Sequence, residues 1–492
     1  MTPALAALPL LLVLLAMGAG GLSAAKAGAI GLALALALAL LAPGFGFDGA
    51  LDPALAGSAA EAGFSALTIL WIIFPALALY EYQSRTGAIE RIRDALTGLT
   101  SDRRLQAVLI AWFFGLFIEG AAGFGTPVAL AAPLLAGLGY PPVRAVAIAL
   151  LGHAAGVSFG AVGTPTLAQV DLTDLAPTAI SGPVATMHAV VGPLLLLAAL
   201  RLAGDGPLSG HDLRWGALAA VCFFVPSLAI AWVIGPELPS LGGAFIGGAV
   251  FVWLLLRAEH GRPPDLRALL PDLMPYLLIL ALVLLTRLVG PLTEAVRAPA
   301  IAWELSGGFE GRFEPLYHPG TLLLAGLGIS AAFTGRLGPA REAVGPALER
   351  LLPVALALLA MLSLSRIMVH GGLVTALADA AAGLGTAWPL AAPLLGVAGT
   401  FVTGSATASN ILFTELQTAT ADALDLPRAA LAAAQGFGSA IGNVIAPHNI
   451  IAGSATVGLV HKEGEILRQT LAVAALYTAL GGGLALALAR LL

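Results

Sequence analysis

Apolar residues run in long blocks along most of this chain, and polar residues gather in short clusters between them. Apolar runs fall at about 4–22, 27–47, 63–80, 105–118, 143–162, 183–203, 214–234, 238–256, 271–290, 319–333, 351–369, 386–402, 429–446 and 467–490. A helix crossing a bilayer needs about 20 mostly apolar residues. The pattern therefore predicts an all-α polytopic membrane protein with about 12–14 transmembrane segments, reading as one membrane domain over 1–492. The first run has no basic residue before Lys26, so it reads as a retained span and not a cleaved signal.

Two regions interrupt the pattern, Phe117–Tyr140 and Thr400–Gln417. Both are rich in Gly, Ser and Thr within stretches apolar enough for membrane depth. Irregular backbone at that depth is tolerated only where it is buried in protein or lines a cavity, so both read as re-entrant hairpins or broken helices. They also resemble each other. Phe117-Ile118-Glu119-Gly120-Ala121-Ala122 parallels Phe401-Val402-Thr403-Gly404-Ser405-Ala406 at an offset of 284 residues. Gly156, Gly160, Val162 and Pro165 parallel Gly438, Gly442, Val444 and Pro447 at an offset of 282. Two matches in the same order suggest duplicated, inverted halves, at about 61–203 and 319–492. Broken helices at corresponding places in two such halves point to a site at the membrane midplane.

Charge sorts the loops. Lys26, then Arg85, Arg91, Arg93, Arg103 and Arg104, then Arg201 and Arg214, then Arg257, Arg262 and Arg267, then Arg336, Arg341 and Arg350 mark one set. Asp48, Asp52 and Glu61, then Glu237, then Glu294, Glu304, Glu310 and Glu314 mark the other. The positive-inside rule makes the first set cytoplasmic and the second external, with the N-terminus outside.

Composition agrees and excludes alternatives. Hydrophobic residues are 59% of the chain and charged residues 10%, against about 25% charge in a soluble domain. The net charge of -5 and the absence of a basic stripe exclude nucleic acid. The single Cys222 excludes an intrachain disulfide. No His/Cys cluster has metal-ligand spacing, and no G-x-x-x-x-G-K-[ST] loop occurs. No cofactor, metal or enzymatic activity is expected. Gly156-Val157-Ser158-Phe159-Gly160 matches the G-x-S-x-G pattern. It lies in an apolar helix, not in the strand–turn–helix context that pattern needs.

The broken segments carry the candidate chemistry. Gly125-Thr126-Pro127 and Gly163-Thr164-Pro165 repeat one design. Glycine permits a turn, threonine can cap a helix, and proline at the first helical position wastes no amide. Ala446-Pro447-His448-Asn449 reads the same way, and Ser405, Thr407, Ser409 and Asn410 surround a fourth helix start. Helix N-termini favour anions. Gly123, Gly125, Thr126, Thr164, Ser405, Thr407, Ser409, Asn410, Asn443, His448 and Asn449 are therefore candidate binding residues for a small organic anion. A carboxylate at membrane depth suggests function. Glu119, and with it His448, is a candidate proton carrier. His153 and His188 read as ordinary core histidines, and Arg287 and Arg366 as side chains that snorkel or pair with a buried acid.

At these residues the chain resembles the lactate permease family of bacteria and archaea. The resemblance is carried by Ser101-Asp102-Arg103-Arg104 leading into Phe117–Val128, by Gly235-Pro236-Glu237-Leu238-Pro239, by Thr403-Gly404-Ser405 with Ser409-Asn410, and by Asn443–Pro447. It implies proton-coupled uptake of lactate, glycolate and related 2-hydroxy monocarboxylates across the bacterial inner membrane. It also implies a fold similar to the ion transporter superfamily, with an elevator-like movement. The chain departs from the family pattern at Ala406, where an acid is usual, and at His448, where glutamine is frequent. Coupling to sodium, another organic anion, a channel, and a second copy of the chain as homodimer partner stay open.

Overall fold

The computed structural model describes residues 2–18, 21–47, 50–259, 265–306, 309–459 and 461–492. Asp48 and Arg262, counted among the loop charges above, lie outside them. The protein is almost wholly helical. Among the described residues, ten helices are long and apolar enough to cross a membrane, or twelve if each bent pair is one span, and four shorter apolar helices accompany them. Leu51–Arg85 and Val344–His370 pack closely along each other.

Ion pairs define two opposite faces. On one, Arg91 and Arg336 meet Asp272 at 2.6 and 2.8 Å, Arg144 meets Asp205 at 2.6 Å, and Arg104 meets Asp212. On the other, Arg287 meets Glu237 at 2.8 Å, His370 meets Glu61 at 2.8 Å, and Arg428 meets Asp422 at 2.5 Å. The first face carries the basic loops and is cytoplasmic by the positive-inside rule.

Two of the long apolar helices do not emerge on the far side. Arg103–Ala121 turns back at 122–125 into Thr126–Gly137. Its two ends are tied together where Arg103 donates to the Gly139 carbonyl at 2.9 Å and Tyr140 donates to the Arg103 carbonyl. This hairpin enters from the cytoplasmic face. Trp388–Thr403 turns back at 404–405 into Ala406–Ala423, tied where Trp388 Nε1 donates to Gln417 at 2.9 Å. That hairpin enters from the external face.

A broken helix follows each hairpin. Pro142–Asp171 runs from Arg144 on the cytoplasmic face to the external face, interrupted at 154–163. Arg428–Ile445 and Pro447–Thr456 run the opposite way, bent by 43°. One order of elements thus occurs twice, in opposite directions across the membrane. Glycines let each hairpin approach its broken helix. Gly152 lies against the Ala111 carbonyl and Gly438 against the Pro393 carbonyl, with no room for a Cβ. Small residues hold helices together in this way where lipid offers no hydrophobic drive.

Two sequence readings need correction. Asp52 and Glu61 are not in a loop but in the first turns of Leu51–Arg85, whose small residues Ala54, Gly57 and Ala62 continue the apolar face outward. The 291–318 segment is not a bare loop. It contains the helix Gly290–Arg297 and an antiparallel pair, Ile301–Leu305 with Phe309–Phe313, in register from Ile301↔Phe313 to Leu305↔Phe309. Phe309 plugs that pair against Gly57. Arg104–Asp212 is a partly buried pair on the cytoplasmic face, and Asp212 also closes a capping box on Ser209.

Cysteine labelling tests the assignment of faces, since native Cys222 is buried. Glu304→Cys should react with an impermeant maleimide on intact cells. Gly206→Cys should react only after permeabilisation. The reverse pattern would invert the topology.

Candidate functional site

Both breaks in the first half are built from left-handed backbone. Gly123, Phe124 and Gly125 have φ of 58°, 50° and 78°, and Ala161, Val162 and Gly163 have φ of 43°, 54° and 82°. A Thr-Pro pair follows each triplet and starts a right-handed helix. Thr126 Oγ1 donates to the Gly123 carbonyl at 2.7 Å, and Thr164 Oγ1 donates to the Ala161 carbonyl at 2.6 Å. These threonines therefore fasten the turn from inside and do not accept from a free amide, as a cap would. Gly125 holds the cap position of Thr126–Gly137. The two turns touch: a Cβ on Gly123 would lie 3.0 Å from Ala161 N. Left-handed backbone costs roughly 1–2 kcal/mol per L-residue, more for β-branched Val162. Strain of this kind collects at functional sites.

The second half uses simpler breaks. Gly404, at φ 70°, ends Trp388–Thr403. Ser405 then caps Ala406–Ala423, accepting from Ala408 N at 3.3 Å. Ala446 is extended between Ile445 and Pro447.

The breaks converge on one cavity of about 50 Å³, space for a few waters or a very small anion. Glu119, Gly123, Gly125, Thr164, Ser405, Thr407 and Asn443 line it, with Phe124, Gly160, Ala161 and Ala406 among the others. Five expected residues lie outside the lining. Thr126 is spent on the turn. Ser409 is fully buried, donating to the Gly396 carbonyl at 2.8 Å and accepting from Gln435 at 3.3 Å. Asn410 donates to the Pro165 carbonyl at 2.9 Å, bracing the first broken helix from the second hairpin. Asn449 donates to the Asn443 carbonyl at 3.2 Å. His448 is exposed beside Gly404, whose Cβ would meet its ring carbons at 3.1 Å. Cavities of about 640 and 510 Å³ open on the cytoplasmic and external faces, at Arg103–Asp205 and at His370–Phe309.

Glu119 is 5% exposed. Gly160 packs on its carboxylate with no room for a Cβ. Its nearest ionisable neighbour is His153, with Nε2 at 3.8 Å from Oε2. Nothing in the sequence around His153 signals that neighbour, because the two lie 34 positions apart across a hairpin and turn. Arg287 and Arg366 are not free cations. Arg287 pairs with Glu237 and stacks on Tyr317, and Arg366 pairs with Glu415 and, at 3.5 Å, with Glu61.

The G-x-S-x-G serine does find a histidine. Ser158 Oγ lies 2.9 Å from His188 Nε2, and His188 Nδ1 lies 2.7 Å from the Tyr477 hydroxyl. Ser158 donates to the Gly436 carbonyl at 3.0 Å. Nε2 therefore donates to the serine and cannot take its proton, and Ser158 does not line the cavity. The chain of bonds ties four helices together.

Opposed hairpins and broken helices meeting at a buried cavity, on a scaffold of many spanning helices, define a multi-pass membrane protein of transporter architecture. Residues 3–261 and 305–492 match the family model for L-lactate permease, and the chain belongs to that family. The L-lactate permease of Escherichia coli K12 is 30% identical over 460 residues, covering 84% of this chain and 83% of that protein. Glycolate permease GlcA of the same strain is 29% identical over 484 residues, covering 87% and 85%. The L-lactate permease of Bacillus subtilis 168 is 29% identical over 491 residues, covering 85% and 84%. Among solved structures, the YdaH transporter of Alcanivorax borkumensis is similar in fold, at 16% identity and TM-score 0.52 over 88% of this chain and 86% of that one.

The left-handed turn at 161–163 gives a stability test. A Cβ at Gly163 would meet the Pro236 carbonyl carbon at 2.7 Å and adopt φ 82°. Gly163→Ala should lower the melting temperature in detergent, with at least about 1–3 kcal/mol lost from backbone strain. Equal melting of Gly163→Ala and the native protein would contradict this backbone.

Proposed function

We propose that the protein imports lactate, glycolate or related 2-hydroxy monocarboxylates with protons. The half-helix starts around the cavity bind the carboxylate. The observation that carries the reading is the meeting of Glu119 with the breaks of both halves in one small cavity. The two sets of elements, within about 61–203 and 319–492, act as the inverted repeats of this carrier. The names of the E. coli and B. subtilis relatives support the substrate class.

Backbone amides at Gly125, Thr164 and the Ala406–Thr407 start can hold an anion without a cation nearby. The hydroxyls of Ser405 and Thr407 and the Asn443 amide add donors, suited to a substrate with a hydroxyl beside its carboxylate. Glu119 sets the condition for entry. Two negative charges about 4 Å apart repel by roughly 4 kcal/mol at an effective dielectric constant of about 20. An anion therefore enters against protonated Glu119, and by reciprocity a bound anion favours the proton. Anion and proton travel together.

In proteoliposomes, Glu119→Gln should abolish accumulation of labelled lactate driven by a pH gradient while retaining lactate exchange. Accumulation like the native protein's would place coupling elsewhere, with His448 or a sodium site next in line. Asn443→Ala should weaken lactate affinity roughly ten- to hundredfold, the loss of a hydrogen bond to a charged group, measured by competition binding. Unchanged affinity would remove Asn443 from the binding set.

A further inference from the structure

His153 sits behind Glu119, and the transport cycle above does not use it. It is 1% exposed, at the end of Pro142–His153 where the first broken helix gives way. Its Nδ1 lies 2.7 Å from the Ala149 carbonyl. A carbonyl only accepts, so Nδ1 carries a proton and donates. In the neutral ring this leaves the lone pair on Nε2. Nε2 is the nitrogen that faces Glu119 Oε2, at 3.8 Å, and the ring also meets the side chain of Asn443 in the cavity lining. The gap to Glu119 is longer than a hydrogen bond. One bridging water or a small turn of the Glu119 side chain closes it.

We propose that Glu119 and His153 form a single proton-holding unit, in which His153 is a positioning residue that accepts the proton when Glu119 releases it. This rests on the reading of Glu119 as the coupling carboxylate. The balance is simple. Glu119 Oε2–H beside neutral His153 becomes carboxylate beside imidazolium, with the moved proton on Nε2 and the Nδ1 proton still donated to the Ala149 carbonyl. Either form of the unit is neutral overall, so one proton is kept at membrane depth without a net buried charge. Departure of that proton leaves the unit at minus one and closes the cavity to an anion.

Among the described residues, neither Glu119 nor His153 makes an ion pair with a third group. Of the helices packed on Glu119, Pro142–His153 carries Arg144, engaged with Asp205 on the cytoplasmic face. Gly160–Asp171 ends at Asp171 on the external side, beside Arg366. Leu51–Arg85 carries Glu61 and Glu81, engaged with His370 and Arg350. Pro239–Glu259 has its charges at its cytoplasmic end, and Glu237 before it is held by Arg287.

The test uses the full-length protein in proteoliposomes, with labelled lactate exchange followed against pH and melting temperature as the control for folding. His153→Gln removes the acceptor, so the unit should hold its proton less tightly. The alkaline limb of the profile should move about one pH unit toward acid, a tenfold loss of proton affinity. Glu119→Gln should lose the pH-dependent limb altogether. If Glu119→Gln keeps the native profile, the coupling reading falls and the unit with it. If Glu119→Gln loses the limb but His153→Gln and His153→Asn both keep it in place, only the unit falls. Infrared titration of the native protein decides the matter even where the variants do not fold. The carboxyl and imidazole bands should change together, and a carboxyl band that titrates with no change in any histidine band would overturn the unit.

Discussion

A backbone amide or carbonyl at membrane depth has no water to satisfy it, and everything at the centre of this protein follows from that constraint. Each hairpin tip and each broken helix exposes such groups where a straight helix would hide them. A single break would be a liability facing lipid. Here the breaks of the two halves face one another, so the exposed groups share one cavity walled by protein. Two hairpins entering from opposite faces achieve this with one design used in both directions.

The left-handed triplets show how firmly the geometry is held. Val162 and Phe124 occupy backbone conformations that glycine would adopt at no cost, yet each threonine that follows locks its turn with an identical bond to the carbonyl three residues back. Asn410 then braces the Pro165 carbonyl from the opposite half. The turn of the first half is thereby fixed partly by the second. Charge is handled with similar economy. The arginines within spans are neutralised by Glu237, Glu415 and Glu61, and the cavity itself holds one carboxylate and no cation. In the function proposed above, an anion there depends on helix N-termini and on the protonation of Glu119.

Much of this was legible along the chain. Gly-Thr-Pro within an apolar run cannot continue a helix, so the breaks were visible. Offsets of 284 and 282 residues align Glu119 with the second hairpin's Thr403, and Pro165 with Pro447. Spacing could not reveal which way a side chain turns. Ser409 and Asn410 belong to the right segment but point into packing, and the threonines give their hydroxyls to carbonyls. Distances across the fold were equally hidden. His153 reads as a lone histidine among apolar residues, and only the return of the first hairpin brings Glu119 to it. Glu61 looked like a loop charge because its partner Arg366 lies 305 positions away. The strand pair at 301–313 is short and charged, and shows no clean alternation.

The central claim is that the two halves share one anion site at the hairpin tips. The most direct measurement is a structure of the protein with a brominated 2-hydroxy acid, located by its anomalous signal. A single bromine peak is expected between the 123–125 turn and the 404–407 helix start, with the carboxylate near Thr164 and Asn443. A peak confined to the external vestibule at His370 and Phe309, or to the cytoplasmic cavity at Arg103 and Arg144, with the central cavity empty, would contradict it.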